Sequence, residues 1–203
     1  MTMIAPELAR LEAHLPLDGL SWDPQPGRYP EAAVLVPLTD EKEPRVLLGR
    51  RGRHLKTHPG EVAFPGGKRE NEDASPWVTA KREAYEEVGI VDSQVHPMGE
   101  LAPMLTRTNF EVHPCIARIP TELDLVVDTR EFDSVFYQPL KVFADTSRLQ
   151  TLELQVDDKT YYTPRFIIDG DEIWGVTAAI LAVVASTAYQ VPLEMRRGWS
   201  TEP

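Results

Sequence analysis

"GEVAFPGGKRENEDASPWVTAKREAYEEVGI" runs from Gly60 to Ile90. Its second half reads as one helix. Ser75 is a good N-cap, Pro76 suits the first helical position, and Gly89 suits the residue just past the end. On that helix Glu83, Glu86 and Glu87 stand three and four positions apart, so all three project from one face. Like charges at this spacing repel, and a helix needing only a solvated face would mix signs. A metal ion or a proton to be moved would offset the crowding. Hard carboxylate oxygens suit Mg²⁺ or Mn²⁺, and Mg²⁺ commonly takes one or two carboxylates, waters and the oxygens of a substrate phosphate. No His or Cys stands beside them at zinc spacing. Arg82, four residues before Glu86, is placed to pin that carboxylate. For three glutamates alone, an ordinary charged surface helix is the simpler account.

Gly66-Gly67 changes that balance. Glycines let the backbone come close to a ligand and leave a carbonyl free to face a metal. The stretch is not a phosphate-binding Walker loop, because Lys68 is followed by Arg69 instead of Ser or Thr.

Working outward, the 203 residues are 42% hydrophobic and carry a net charge of −11. That length allows one domain with a real core. The charge argues against nucleic acid and against an anionic membrane surface. Positive charge is nevertheless concentrated from Arg45 to Arg69, where Glu61 is the one acid. Charges are screened over about 8 Å, so this segment can act independently of the distant acidic remainder. Taken alone, it reads as a solvated basic loop. The start, "MTMIAPELARLEAHL", lacks the basic-then-apolar pattern of a signal peptide. The apolar run Ile173 to Tyr189 falls short of the roughly 20 residues needed to span a bilayer. It is expected to be a buried helix. Cys115 is the single cysteine, so no internal disulfide can form, and a cytoplasmic location is expected.

Leu8, Leu11 and Leu15 predict a short N-terminal helix. "AAVLVPL" (Ala32 to Leu38) and "RVLLGR" predict neighbouring strands around the polar turn "TDEKEP". "EVAF", "HPMGELAP" and "FEVHPCIARIP" predict further strands. "LELQVDDKTYYTPRFII" predicts a hairpin turning near Asp157 to Lys159. For "EFDSVFYQPLKVF", extended and helical readings both stay open. Strands and helices mix without a strict strand–helix repeat, which predicts an α+β fold with a mixed sheet covered by helices.

The Gly67–Ile90 pattern resembles the box of the Nudix hydrolases, G-x(5)-E-x(7)-R-E-U-x-E-E-x-G-U, with U an aliphatic residue. "REAYEEVGI" (Arg82 to Ile90) matches its second half. The first half departs from it: Asp73 stands for the Glu, and eight residues instead of seven separate it from Arg82. The coenzyme A pyrophosphatase subfamily shares this longer loop. Its upstream signature is matched at Leu47, Leu48, Arg51, His58, Gly60 and "EVAFPGG", with Gly52 where Ser or Ala is usual. "LTRTNFEVHP" resembles its downstream motif, with Thr108 and Asn109 in place of Ser and Gly.

The resemblance implies a single Nudix hydrolase domain over 1–203, of the α/β/α sandwich type, with an N-terminal extension over 1–30 and a C-terminal hairpin and helix over 150–203. It implies Mg²⁺- or Mn²⁺-dependent hydrolysis of the pyrophosphate of coenzyme A or its thioesters. Glu86 and Glu87 are the expected principal ligands, Glu83 a ligand or the base, and the Gly67 or Gly66 carbonyl an extra ligand. Glu131 is a further acid that could join them. Arg51, Arg53 and Lys56 are expected to meet the substrate phosphates, Arg by bidentate contact. His58 is expected to touch substrate or order its loop, and the remaining histidines to be structural or solvated. Phe64 and Trp174 are expected in the core. The expected partner is a small molecule, with no nucleic acid and no membrane, and a homodimer is allowed. Two rivals stand beside this reading: a Nudix enzyme for ADP-ribose, NADH or another nucleotide, and a non-catalytic nucleotide-binding module.

Overall fold

Alternate residues of the strand Glu31–Thr39 (β1) serve two different cores. Ala33 and Leu35 pack with Leu47, Cys115 and Ala117 on one side, while Val36 and Leu38 pack with Val46, Leu48 and Ile116 on the other. Side chains alternate along a strand, so a strand covered on both faces must be apolar at every step. The computed structural model that shows this describes residues 4–16, 22 and 29–200. Much of the expected N-terminal extension (1–3, 17–21 and 23–28) lies outside the described residues, as do 201–203.

The expected N-terminal helix is Pro6–His14 (α1). After β1 come Arg45–Arg51 (β2), Val62–Ala63 (β3), Gly66–Lys68 (β4) and the helix Pro76–Val88 (α2). His96–Glu100 (β5), Met104–Leu105 (β6), Glu111–Ile119 (β7) and Phe132–Pro139 (β8) complete the larger sheet. It holds eight strands, five of them in the order β3-β2-β1-β7-β5, with β4 added to β1, β6 to β7 and β8 to β2. β1 and β7 run parallel from Glu31↔Glu111 to Thr39↔Ile119, and the other pairings are antiparallel. The sheet is therefore mixed, as expected.

Ala80, Ala84 and Val88 of α2 cover one face of this sheet. Leu8 and Leu11 of α1, with Ile180, Leu181 and Val184 of the helix Gly175–Tyr189 (α3), cover the other. This is the α/β/α arrangement of an α+β fold. Gln150–Val156 (β9) and Lys159–Ile168 (β10) form the expected hairpin, turning at Asp157 with φ 52°. Asp171–Trp174 (β11) and Gly198–Trp199 (β12) also pair with β10, making a second sheet of four strands. Phe166, Ile168 and Ile173 bind that sheet to the core under α3. Among the described residues, no helix is long and apolar enough to cross a membrane.

The segment left open in the sequence is both things in turn. β8 pairs with β2 up to Arg45↔Pro139. Short 3₁₀ turns then follow at Leu140–Ala144 and Thr146–Arg148.

One irregularity positions the site. β1 and β2 meet at Leu38↔Val46 and then part. β4 takes the freed half of β1, with Ala33↔Gly67 and Val34↔Gly66, while β3 stays with β2. The chain between these two short strands thus bridges a split in the sheet.

Candidate active site

The orientation of α2 follows from its ends and its buried stripe. Ser75 caps it, its hydroxyl accepting from the Val78 N–H at 3.4 Å, and Gly89 ends it at φ 77°, a left-handed conformation that favours glycine. Ala80, Ala84 and Val88, four apart, lie against the sheet. The glutamate face is thereby turned toward Gly66 and Gly67. A Cβ added at Gly67 would collide with the Glu83 carboxylate, so only glycine leaves room for it.

The three glutamates sit at different depths. Glu87 is 5% exposed, and its Oε2 accepts a hydrogen bond from the Gly66 N–H at 2.9 Å. Burial, helped by the charges of Glu83 and Glu131, pushes its carboxyl up to about 8 against the Gly66 bond and Arg51. Glu83 is also raised, chiefly by burial and despite Arg82. Glu86 is the most exposed of the three.

Arg82 holds more than the expected Glu86. Its Nη1 lies 3.0 Å from Glu83 and 3.4 Å from Glu86, and its Nη2 lies 3.1 Å from Asp73. Asp73, where the family pattern has Glu, is buried and also accepts from the Thr79 hydroxyl at 2.7 Å and the Glu70 N–H at 2.9 Å. Burial pushes its carboxyl up, but these bonds hold it below the usual carboxylate range. The shorter acid, with its longer loop, still reaches Arg82.

The glutamates, Gly66 and Gly67 open onto a cleft of about 940 Å³ in the sheet split. Arg51, His58 and Glu131 line it too. Arg51 Nη2 lies 3.5 Å from Glu131, and among the described residues the buried Arg51 Nε has no hydrogen-bond partner. His58, at φ 55°, places Nδ1 2.9 Å from Glu61, which raises its pKa. Arg53 and Lys56 are exposed and lie outside the cleft wall; the Arg53 N–H instead donates to Asp133 at 3.2 Å. Phe64 is buried as expected, but Trp174 is only partly so and lines the cleft.

Lys68, Arg107 and Arg130 bring further cations to the wall, and Tyr161 of β10 and Val176 of α3 close its far side. None of these was singled out from the sequence. Arg107 had a signal, since it stands inside the motif "LTRTNFEVHP".

The donor set fits a hard divalent ion such as Mg²⁺ or Mn²⁺. It consists of oxygens alone, one of them on a buried carboxylate that ionises readily only beside added positive charge. In this structure Arg82 Nη1 bridges Glu83 and Glu86, while Glu87 is turned to the Gly66 N–H. The donor atoms of Glu31, Glu111 and His113 do lie within 4.8 Å of one another. That group is structural: Arg69 neutralises Glu31 at 2.6 Å, and Trp22 packs edge-on against the buried His113 ring.

A mixed sheet between helices, split over a carboxylate-lined cleft, defines an α+β protein with an acidic candidate active site. A family model described as "NUDIX domain" matches residues 29–155. The chain belongs to the Nudix hydrolase family. It is 38% identical over 166 residues to an uncharacterized Nudix hydrolase NudL of Yersinia enterocolitica, covering 80% of this chain and 85% of that one. It is 37% identical over 154 residues to the Yersinia pestis NudL, covering 76% and 77%. A crystal structure of the Nudix hydrolase RenU from M. Smegmatis matches 88% of this chain and 99% of its own, with TM-score 0.54 and 19% identity. That likeness shows the shared fold.

Proposed function

We propose that this enzyme hydrolyses the pyrophosphate bond of coenzyme A or its thioesters, giving 4′-phosphopantetheine, or its acyl form, and adenosine 3′,5′-bisphosphate. The observation that carries the reading is the meeting of two motifs in one cleft. The glutamate face of α2 and the upstream segment from Arg51 to Gly67 line the same wall. The upstream segment is the part that resembles the coenzyme A subfamily, and its role in binding substrate would require that position.

Glu86 and Glu87 are assigned as principal ligands of Mg²⁺ or Mn²⁺, with the Gly67 carbonyl beside them. When bound, the ion neutralises charge on the pyrophosphate oxygens and makes water more acidic. The remaining work falls to the chain. Glu83, whose carboxyl burial raises, is a ligand or accepts the proton of the attacking water. Glu131, which lines the same cleft, is the second acid able to do so. Water adds to one phosphorus as its bond to the bridging oxygen breaks. Arg51 lines the cleft and can donate to the phosphate oxygens through its guanidinium. His58, held by Glu61, orders the loop that follows Arg51 at the rim of the cleft. Arg53 and Lys56 remain in the reading as outer contacts for a long substrate.

The reading includes one domain over 1–203 and a cytoplasmic location, the latter resting on the single, buried Cys115. The test is product analysis on coenzyme A, acetyl-coenzyme A, ADP-ribose, NADH and nucleoside triphosphates, each with Mg²⁺ and with Mn²⁺. Preferential release of adenosine 3′,5′-bisphosphate from the first two is expected. Faster turnover of ADP-ribose or NADH would replace this reading with another Nudix pyrophosphatase, and no turnover of any would favour a binding module.

A further inference from the structure

The cleft of an acidic chain has to receive a polyanion, so cations left without a partner along its wall carry information. Among the described residues, Arg130 is paired with Asp128 at 2.7 Å, Arg51 lies 3.5 Å from Glu131, and His58 is bonded to Glu61. Lys68 sits over the Phe110 ring, 5.1 Å from its centroid. Among the described residues, the Arg107 side chain has no ion pair, hydrogen bond or ring contact, although it lines the same wall. Its charge acts on His58, whose protonated form it disfavours.

The turn that presents Arg107 is well built. The Thr106 N–H donates to the Phe110 carbonyl at 2.8 Å, and the Asn109 N–H to the Thr106 carbonyl at 3.0 Å. The Phe110 N–H donates to the Thr106 hydroxyl at 2.9 Å, and Asn109 takes the left-handed conformation, φ 62°. Arg197 ties the preceding strand down through the Leu105 carbonyl at 2.9 Å. The anchored turn fixes the backbone from which the unpaired guanidinium reaches the cleft.

Arg51 acts on both Glu87 and His58, whereas Arg107 acts on His58. Arg51 stands at the end of β2 beside Glu131, and Arg107 on the turn between β6 and β7, so different elements carry the two guanidiniums to the cleft wall. A substrate with a diphosphate and one separate phosphate would engage both.

We propose that Arg107 binds the 3′-phosphate of a coenzyme A-type substrate and sets the preference for a 3′-phosphorylated adenylate. This rests on the coenzyme A reading above. The diphosphate lies toward the carboxylates and Arg51. The 3′-phosphate lies toward Arg107, with Lys68 on the same wall adding to the local positive charge. Arg107 is exposed, so its removal leaves no buried gap.

The test compares kcat/KM for coenzyme A and dephospho-coenzyme A, which share the scissile bond. Wild type is expected to prefer coenzyme A by about ten- to a hundredfold, the range of one charge-assisted contact. Arg107→Gln should raise KM for coenzyme A, leave kcat largely intact and bring the two substrates level. Arg107→Lys should restore part of the preference. Inhibition by adenosine 3′,5′-bisphosphate should weaken in Arg107→Gln, with inhibition by AMP unchanged. Equal losses on both substrates, or a preference that survives Arg107→Gln, would overturn the assignment while leaving the coenzyme A reading standing. No turnover of coenzyme A by wild type, with turnover of another nucleotide, would overturn both.

Discussion

The backbone N–H of Gly66 donates to the Glu87 carboxylate at 2.9 Å, joining the short strand in the sheet split to the deepest acid of α2. The bond fixes where Glu87 points. It does not remove the cost of burying a second negative charge beside Glu83.

Glu87→Gln should therefore separate folding from catalysis. The amide oxygen can still accept from Gly66, and folding no longer has to protonate or bury a carboxylate. The metal-free variant should melt at the wild-type temperature or above, while turnover at saturating metal falls by on the order of 10²-fold or more. Calorimetry and steady-state kinetics on the same preparation read both. Near-normal turnover would remove Glu87 from the catalytic role.

The same residue predicts how stability depends on pH. Its carboxyl titrates near 4.5 ordinarily and near 8 in the fold. Between those values the folded protein keeps a proton that the unfolded chain releases. The contribution is fully present below 4.5 and is lost as pH rises through about 8. In chelator-treated protein the melting temperature should fall from pH 5 to pH 8.5, and Glu87→Gln should flatten that slope. An unchanged slope in the variant would assign it to other groups.

Asp73→Asn tests the tie between the loop and Arg82. The amide cannot match the carboxylate as acceptor for Arg82, the Glu70 N–H and the Thr79 hydroxyl at once. A loss of about 1.5–3 kcal/mol is expected by chemical denaturation, the scale of a hydrogen bond to a charged group. Freed from Asp73, Arg82 should grip Glu83 and Glu86 more tightly, so the metal concentration for half-maximal activity should rise. If metal dependence does not move, Asp73 has a structural role only.

Gly67→Ala puts a methyl group where the Glu83 carboxylate lies. The clash is with the end of a flexible side chain, so the fold should persist and Glu83 should swing aside. Activity should fall toward that of Glu83→Gln, with little change in melting temperature. Combining the two changes should cost scarcely more than either alone, since both disable one group.

Much of this was legible in the chain because it is written locally. Ser75, Pro76 and Gly89 bound α2, the three- and four-residue spacing puts the glutamates on one face, and a nearly unbroken apolar run marks β1. Those signals act over one or two turns of helix or a few residues of strand. Residues 131 to 143 were ambiguous because their strand depends on β2, more than eighty residues earlier. Sequence also left Arg51, Arg53 and Lys56 equivalent. Tertiary structure separated them: β2 and β3 turn Arg51 into the cleft, while the loop beyond turns Arg53 and Lys56 outward. The parting of β1 from β2, and the closing wall from β10 and α3, arise from contacts between distant segments. Residue type and local spacing therefore determined which groups could do chemistry. Long-range strand pairing and core packing, which carry no short-range signature, decided which of them share one cleft.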